Sequence, residues 1–341
     1  MYVIFNPASG RGRGRKRIAR YRALLEERIP DVRFAATEGP GHESTLADRA
    51  LADGVRTVVA VGGDGTWGNV ADRVVASGRD DVRMGLLPNG TGNDFGRSLG
   101  IRPDDPEAAV EVLAAGHERQ VDVGRVDTLS ASEHHPDRWE ERYFLNLIGF
   151  GFDIAVIDAA ARARFLKGEL LYKITALQQL FRFPGFQATV RPGEGGEGSE
   201  KRSGEGGQGS EERRSDDGRG AAEAPSPEAH LMLTVSNGRY FGGGFPIAPD
   251  AGPADGRLHT CSIGDAAPFT RLRLFNLAER GRHVESDRVR VRAGAAFHLD
   301  FPEPPRFEMD GDVRQARDRQ VRVRVIPKAL RVLAPRDHTP V

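Results

Sequence analysis

Several features that define large classes of proteins are scarce in this sequence. One cysteine, Cys261, occurs in 341 residues, which excludes an internal disulfide framework and is typical of a reducing compartment. No run of about 18 apolar residues occurs, so no membrane-spanning helix is predicted. The apolar start before Asn6 is too short for the core of a signal peptide. Together these absences predict a soluble, cytoplasmic protein.

Neither sign of charge is in excess, and aromatic residues are few. Lys+Arg and Asp+Glu both number 49, and aromatic residues make up 7% of the chain. A module that binds nucleic acid through bulk basic charge is therefore not expected, and any anion site must come from a local cluster. The length predicts two domains.

Residues 1–121 alternate short apolar runs with helical patterns. Strands are predicted at Tyr2–Phe5, near Val32–Ala35, at Thr57–Val61 and at Arg83–Pro88, with helices between them, one of them from about Trp67 to Ala76. This alternation predicts an α/β domain with a doubly wound, mostly parallel sheet. Ligands of such sheets bind at the carboxyl ends of the strands.

Residues 122–321 have a different pattern. Period-two alternation, as in RVRVR from Arg288, predicts a second, mainly antiparallel β-sandwich domain with one helical insert, roughly Ala159–Phe183. A Gly/Glu/Ser/Arg-rich insert at about 190–228 has too little apolar surface to order itself and is predicted to be disordered. The last segment, 322–341, is a candidate to return to the first domain.

Glycine-rich loops follow three of the predicted parallel strands. In GGDGT, Gly62, Gly63 and Gly65 allow backbone N–H groups to converge on a phosphate at a helix start, and Asp64 is suited to a magnesium ion. A strand-to-helix turn with a capping aspartate is the alternative. The loops NPASG (from Asn6) and PNGTGNDF (from Pro88) repeat this chemistry, and none of the three is a Walker-type loop.

These three loops together resemble the catalytic domain of the diacylglycerol kinase-like lipid kinases. NLIGFGFDIAV (from Asn146), GGGFPIAPDAGPADGRL (from Gly242) and MDGD (from Met309) are similar to later motifs of that family, in the same order. The resemblance covers nearly the whole chain apart from the polar insert. GGDGT alone is shared with NAD kinases, whereas the ordered set is specific to the lipid kinases.

The resemblance implies a role for each matched residue. The implied ATP contacts are Asn6, Pro7, Ala8, Ser9, Gly10, Thr37, Gly62, Gly63, Asp64, Gly65, Thr66, Trp67, Gly68 and Thr91. The implied magnesium ligands are Asp255 and the backbone carbonyls of Gly252 and Arg257. The catalytic residues are Asp64 and a general base at Asp312, where this chain has DGD in place of DGE, and Asp310 is the alternative base.

The implied function is transfer of the γ-phosphate of Mg-ATP to the hydroxyl of a membrane lipid, with diacylglycerol or a related glycerolipid favoured. A sphingoid-base or ceramide kinase, an NAD kinase-like enzyme and a non-catalytic ATP-binding regulator are the alternatives. The implied location is the inner face of the membrane, with peripheral contact. A homodimer is left open.

Two basic segments are candidates for membrane contact. One is the helix after NPASG, with Arg15, Lys16, Arg17, Arg20 and Arg22. The other is the segment Arg162–Phe183, whose apolar face includes Phe165, Leu166, Leu170, Ile174, Leu177 and Phe181. An ordinary helix that packs on a sheet is the alternative for both.

Overall fold

The computed structural model describes residues 1–7, 9, 14–132, 135–162, 169–193, 199–201 and 227–336. Its α-helices are α1 Gly14–Arg28, α2 His42–Ala52, α3 Asp64–Ala76, α4 Asp94–Ser98, α5 Pro106–Ala115, α6 Phe152–Arg162, α7 Glu169–Arg182 and α8 Pro268–Ala278, and a 3-10 helix spans Arg282–Glu285. Its strands are β1 Tyr2–Phe5, β2 Arg33–Ala36, β3 Thr57–Gly62, β4 Arg83–Pro88, β5 Glu118–Ser132, β6 His135–Phe144, β7 Leu147–Gly151, β8 Phe186–Pro192, β9 Ser199–Lys201, β10 Glu228–Ser236, β11 Leu258–Gly264, β12 Val289–Gly294, β13 Ala296–Asp300, β14 Arg306–Met309, β15 Asp312–Gln315 and β16 Gln320–Leu333.

The N-terminal strands form a parallel sheet in the order β2-β1-β3-β4. All residues of β3 are buried, because helices cover both faces of the sheet. The last residues of β1, β3 and β4 are Phe5, Gly62 and Pro88, and they reach the same edge. The three glycine-rich loops therefore start side by side.

The later strands pair mainly in antiparallel fashion, in the order β15-β14-β7-β10-β8-β13-β16. The long strand β16 connects the two regions: its first part pairs with β13 and β5, and Arg331 and Val332 pair in parallel with Arg83 and Met84 of β4. The predicted fold class, a parallel α/β region followed by a mainly antiparallel β region, is confirmed.

Three helical regions differ from the prediction. Helix α3 begins at Asp64 rather than near Trp67, because the extended residue Gly63 is its N-cap and the glycines that follow are already helical. The single predicted helical insert is two helices, α6 and α7. Helix α8 was not predicted, since Arg271 to Leu274 alternate basic and apolar residues as a strand does.

The predicted bounds of the disordered insert, about 190–228, include residues that belong to strands. Residues 190–192 belong to β8 and pair with β13, Ser199–Lys201 pairs with β12, and Glu228 starts β10. The remainder of that prediction, residues 194–198 and 202–226, lies outside the described residues. Within the described ranges, no helix combines the length and the apolar character needed to cross a membrane.

Candidate active site

Hydrogen bonds of the backbone and the side chain of Asn89 tie the three glycine-rich loops together. The Asn89 N–H donates to the carbonyl oxygen of Gly62 (2.7 Å), and its side-chain amide donates to Oγ of Ser9 (2.6 Å). The Ser9 hydroxyl in turn donates to the carbonyl of Asn6 (2.8 Å). The loops after β1, β3 and β4 are therefore held as one unit at the carboxyl edge of the sheet.

Two of these loops approach each other at glycine. A Cβ atom built on Gly90 would lie 2.5 Å from Cα of Gly63, and one built on Gly63 would lie 3.2 Å from Cα of Gly90. Because the nearest atoms are backbone, no rotamer change relieves this contact. Any side chain at Gly90 would push the two loops apart.

The carboxylate of Asp64 lies in the first turn of α3 and holds the third loop. Its oxygens accept the backbone N–H groups of Asp94 (3.1 Å) and Phe95 (3.0 Å), the first residues of α4. Burial raises the pKa of Asp64, and these N–H donors oppose the rise. Asp64 therefore accepts the first N–H groups of α4 and does not cap its own helix, whose N-cap is Gly63. Its role toward magnesium stays a prediction.

Asp94 is a site residue to which the sequence reasoning assigned no role. Its Oδ2 accepts the N–H of Gly243 (2.9 Å), whereas its buried Oδ1 has no hydrogen-bond partner among the described residues. Burial, and then the charge of Asp64, raises the pKa of Asp94 to about 7. Nε of Arg97 lies 3.9 Å from Oδ1 as an ion pair. A carboxylate oxygen without a hydrogen bond, beside a second carboxylate, fits a hydrated magnesium ion. The repeated acid in the PNGTGNDF loop was the available signal.

Asp312 comes from the antiparallel region and reaches the start of α3. A Cβ atom built on Gly65 would lie 3.0 Å from Oδ1 of Asp312, so the predicted base lies against the GGDGT loop. Oδ2 of Asp312 accepts a hydrogen bond from the side-chain amide of Asn69 (2.9 Å). The predicted nucleotide loop and the predicted base are therefore adjacent in space, although Asp64 and Asp312 are far apart in the sequence.

Asn69 is a second residue that the sequence reasoning missed. Its amide also donates to the buried carboxylate of Glu43 in α2 (2.8 Å), and its oxygen accepts from the guanidinium of Arg314 (3.1 Å). One amide thus links α2, α3 and β15 around Asp312. The position follows GGDGT by three residues, which puts it on the next helical turn, but nothing in the sequence identified its partners.

Asp310, the alternative base, has a structural role. Its two oxygens accept the N–H groups of Leu145 (2.7 Å), Asn146 (2.8 Å) and Leu147 (3.2 Å) at the turn between β6 and β7. Burial raises the pKa of Asp310 to about 7, although the three donors favour its ionised form. With both oxygens occupied, Asp310 is poorly placed to accept a proton from a substrate.

The three predicted metal ligands near Asp255 lie together, and their role toward a metal ion stays a prediction. Oδ1 of Asp255 accepts the N–H of Arg257 (2.9 Å), and Oδ2 accepts the N–H of Gly252 (3.1 Å) and lies 2.8 Å from Nε2 of His259. The carbonyl of Gly252 accepts the N–H of Asp255. No cluster of three metal-ligating side chains occurs in the part of the chain that the structure describes.

The remaining predicted ATP contacts include both buried and exposed residues. Trp67 is fully buried and its indole N–H donates to the carbonyl of Ala60 (3.1 Å), so its side chain belongs to the core. Thr37 and Thr66 are buried at the sheet edge, and Thr91 is exposed in the third loop. Gly68 lies against the carboxylate of Asp310. Ala8 and Gly10 lie outside the described residues.

Two family models match most of the chain. The diacylglycerol kinase catalytic domain matches residues 1–126, and the YegS C-terminal NAD kinase beta sandwich-like domain matches residues 146–334, more than half of the chain. A "Diacylglycerol kinase" of Mycobacterium tuberculosis is 29% identical over 338 residues, covering 98% of this chain and 94% of that protein. A "Probable lipid kinase YegS-like" of Xanthomonas oryzae is 28% identical over 313 residues, covering 90% and 87%.

The fold is also that of a solved structure, a putative diacylglycerol kinase from Bacillus anthracis, with a TM-score of 0.67 at 17% identity over 98% of this chain and 95% of that one. The chain belongs to the diacylglycerol kinase-like lipid kinase family. It is accordingly a phosphotransferase with an alcohol group as acceptor.

Proposed function

We propose that this kinase transfers the γ-phosphate of Mg-ATP to the hydroxyl of a membrane lipid, most simply diacylglycerol or a related glycerolipid. The observation that carries the proposal is the contact between Asp312 and Gly65. It brings an acid from the antiparallel region to the loop that has the features of a phosphate site. Acceptor hydroxyl and γ-phosphate must meet at such a point.

The start of α3 supports phosphate binding. The N-terminal N–H groups of a helix and the positive end of its dipole attract anions. Gly63 precedes the helix and Gly65 lies in its first turn, so neither of these two positions adds a side chain in front of the N–H groups. The contact between Gly63 and Gly90 keeps the neighbouring loop close enough to form a wall of the same site.

Asp64 and Asp94 are proposed to hold the magnesium ion of Mg-ATP, with Asp94 supplying Oδ1, which accepts no hydrogen bond from a described residue. When bound, the ion would neutralise charge on the transferred phosphoryl group. Asp64 has a second task, because its hydrogen bonds to Asp94 and Phe95 fix the position of the loop. Loss of Asp64 therefore affects both the ion and the loop.

Asp312 is proposed as the general base that accepts the proton of the lipid hydroxyl. Phosphoryl transfer has a loose transition state, in which positioning and charge neutralisation outweigh base catalysis. General-base assistance contributes about 10²–10⁴-fold. Asn69 holds Oδ2 of Asp312 by a hydrogen bond, which leaves Oδ1 on the side of Gly65.

Two relatives support the lipid acceptor by their names, a diacylglycerol kinase and a probable lipid kinase. This chain matches most of the length of each. Since the acyl chains of such a substrate stay in the bilayer, the enzyme must work at the membrane surface. ATP is supplied from the cytoplasm, so we assign peripheral association with the inner face of the membrane.

The test is ADP release from Mg-ATP with a panel of micellar lipids: diacylglycerol, phosphatidylglycerol, ceramide, a sphingoid base and a polyprenol, with NAD as a control acceptor. We expect the fastest turnover with diacylglycerol. Faster turnover with ceramide or the sphingoid base would show that diacylglycerol is not the preferred acceptor. Turnover with NAD would show that the acceptor is not a lipid. ATP binding without turnover on any acceptor would make the chain a regulator.

A further inference from the structure

An exposed apolar patch lies on α7 and α8. Leu177, Phe181 and Phe269 are 44%, 48% and 81% exposed, and they are the large apolar side chains exposed in the part of the chain whose side chains are described. The rings of Phe181 and Phe269 meet edge to face at 6.5 Å, and Leu177 lies one helical turn before Phe181. The three residues form one patch.

Basic side chains surround this patch. Arg182 follows Phe181, while Arg273 and Arg280 line a shallow groove on α8 together with Phe269. All three arginines are exposed, and none makes a side-chain hydrogen bond or ion pair with a described residue. Glu279 is the acidic side chain of the same groove. The patch thus has an apolar centre and a predominantly positive rim.

The patch is held rigidly rather than lying on a loose helix. The guanidinium of Arg271, in α8, donates to the backbone carbonyls of Leu180 (3.0 Å) and Phe183 (2.7 Å) at the end of α7 and pairs with Asp265. Val156 of α6, Leu180 of α7 and Leu274 of α8 share one buried cluster. The exposed residues are therefore presented by helices fixed to each other.

We propose that this α7–α8 patch, defined by Leu177, Phe181, Phe269, Arg182, Arg273 and Arg280, docks on a bilayer that contains anionic lipid. Apolar side chains that enter the interface and arginines that meet anionic headgroups are the two contributions that bind peripheral proteins to membranes. This inference rests on the proposed function, because it supplies the surface at which a lipid acceptor would be met.

A second copy of the chain is a poorer occupant of the same patch. A twofold dimer would pair this surface with itself, so the arginine rim of one copy would face the arginine rim of the other. An anionic bilayer complements both the apolar centre and the rim.

The link to the active site runs through α6. This helix starts at Phe152, directly after β7, and its 11 residues span about 16 Å. Asp158 of α6 pairs with Arg306 of β14, the strand that leads into the turn before Asp312. The helical layer that presents the patch is therefore anchored to the segment that carries the proposed base.

The structure also distinguishes this patch from α1, the other basic segment. Arg17 donates to the carbonyls of Pro88 and Pro103, Arg20 and Arg28 pair with Glu107 and Glu111, and the guanidinium of Arg22 lies 4.5 Å from the ring centre of Phe34. Most arginines of α1 thus hold neighbouring elements. Lys16 is exposed there and provides a matched control.

The test is flotation of the full chain with vesicles of phosphatidylcholine alone or with roughly 30% phosphatidylglycerol, since each arginine near an anionic surface contributes about fivefold in affinity. Wild type is expected to bind the anionic vesicles in a salt-sensitive manner. The double variants Phe181→Ser/Phe269→Ser and Arg182→Glu/Arg273→Glu are each expected to bind at least about tenfold more weakly. Lys16→Glu is expected to bind like wild type, and thermal melting checks that every variant is folded.

Absence of wild-type binding, or equal loss in Lys16→Glu, would overturn the docking surface. A dimer abolished by Phe181→Ser/Phe269→Ser, without vesicle binding, would reassign the patch to self-association. A short-chain, water-soluble diacylglycerol separates this proposal from the proposed function: its phosphorylation is expected to be unchanged in the double variants. If no lipid is phosphorylated while vesicle binding still depends on the patch, the docking surface stands and the proposed function fails.

Discussion

The side chains that link the loops of the parallel sheet differ from one pair of buried acids in the antiparallel region in how their polar atoms are hydrogen-bonded. At the edge of the parallel sheet, the side chains of Asn89 and Asp64 form hydrogen bonds with neighbouring loops. In the antiparallel region, both oxygens of Asp153 and Oε2 of Glu308 are buried without hydrogen-bond partners among the described residues. A Cβ atom built on Gly149 would touch both carboxyl groups, so they are neighbours.

This difference indicates that the two regions contribute to the site in different ways. The parallel region holds three loops in a single arrangement, which suits a site that must bind phosphates without rearranging. The antiparallel region retains buried acids close to the turn from which Asp312 emerges, at a cost in stability. The variants below test that division, from the largest expected effect to the smallest.

Asp64→Ala should have the largest effect, a loss of kcat on the order of 10⁴-fold or more. The substitution removes a proposed magnesium ligand and the acceptor of the Asp94 and Phe95 N–H groups. Lipid phosphorylation by the purified variant is the measurement. Asp48→Ala, which breaks only an exposed pair with Arg73, is the control. Near-normal turnover of Asp64→Ala would remove Asp64 from the site.

Asp312→Asn should lower kcat by about 10²–10⁴-fold while leaving ATP binding within about twofold. Asparagine keeps the shape of the side chain but cannot accept the proton. Turnover and the ATP dissociation constant, measured in parallel, check this. Asp287→Asn, at an exposed aspartate, should behave like wild type. Equal loss of ATP binding and turnover would make Asp312 part of the nucleotide site.

Asn69→Leu should lower kcat by roughly tenfold, with a smaller change in KM for ATP, because Asp312 loses the donor that fixes its Oδ2. The same substitution in an Asp312→Asn background should have little further effect. This non-additivity identifies Asn69 as a positioning residue acting through Asp312. Additive losses would mean that Asn69 supports only the packing of α2 against α3.

Asp153→Asn should have the smallest effect, on stability rather than on phosphate transfer. Burial raises the pKa of Asp153 to about 7. The folded state therefore holds this proton more tightly than the unfolded state does. The resulting contribution to folding stability is fully present below about pH 4 and is lost as the pH rises through about 7. Asparagine removes the cost, so we expect a gain on the order of 1 to 3 kcal/mol at pH 8.

Urea unfolding at pH 5 and pH 8 measures this effect, with Asp287→Asn as the exposed control. The gain from Asp153→Asn should shrink at pH 5. Glu308 shifts in the same direction, its pKa raised by burial and by the charge of Asp153, so part of the pH dependence should remain in the variant. A gain that is equal at both pH values would contradict the assignment to ionisation.

Much of the parallel region was predictable from the sequence. The strands Tyr2–Phe5 and Arg83–Pro88 match the predicted bounds, because buried parallel strands are short apolar runs with clear ends. Glycine after each strand marked the loops that meet at the sheet edge. Helix α8 was not predicted, since Arg271 to Leu274 alternate as a strand does, although Pro268 at its first turn is a local helix-start signal.

The sequence by itself determined the alternation of strands and helices in the parallel region, the three glycine-rich loops and the acid of the MDGD motif, because these depend on local periodicity and backbone freedom. Only the tertiary structure decided which acid serves which purpose. Asp310 and Asp312 are two residues apart, yet one accepts three backbone N–H groups while the other lies against Gly65. That difference arises from contacts with β7 and α3, distant in sequence, which no local pattern specifies.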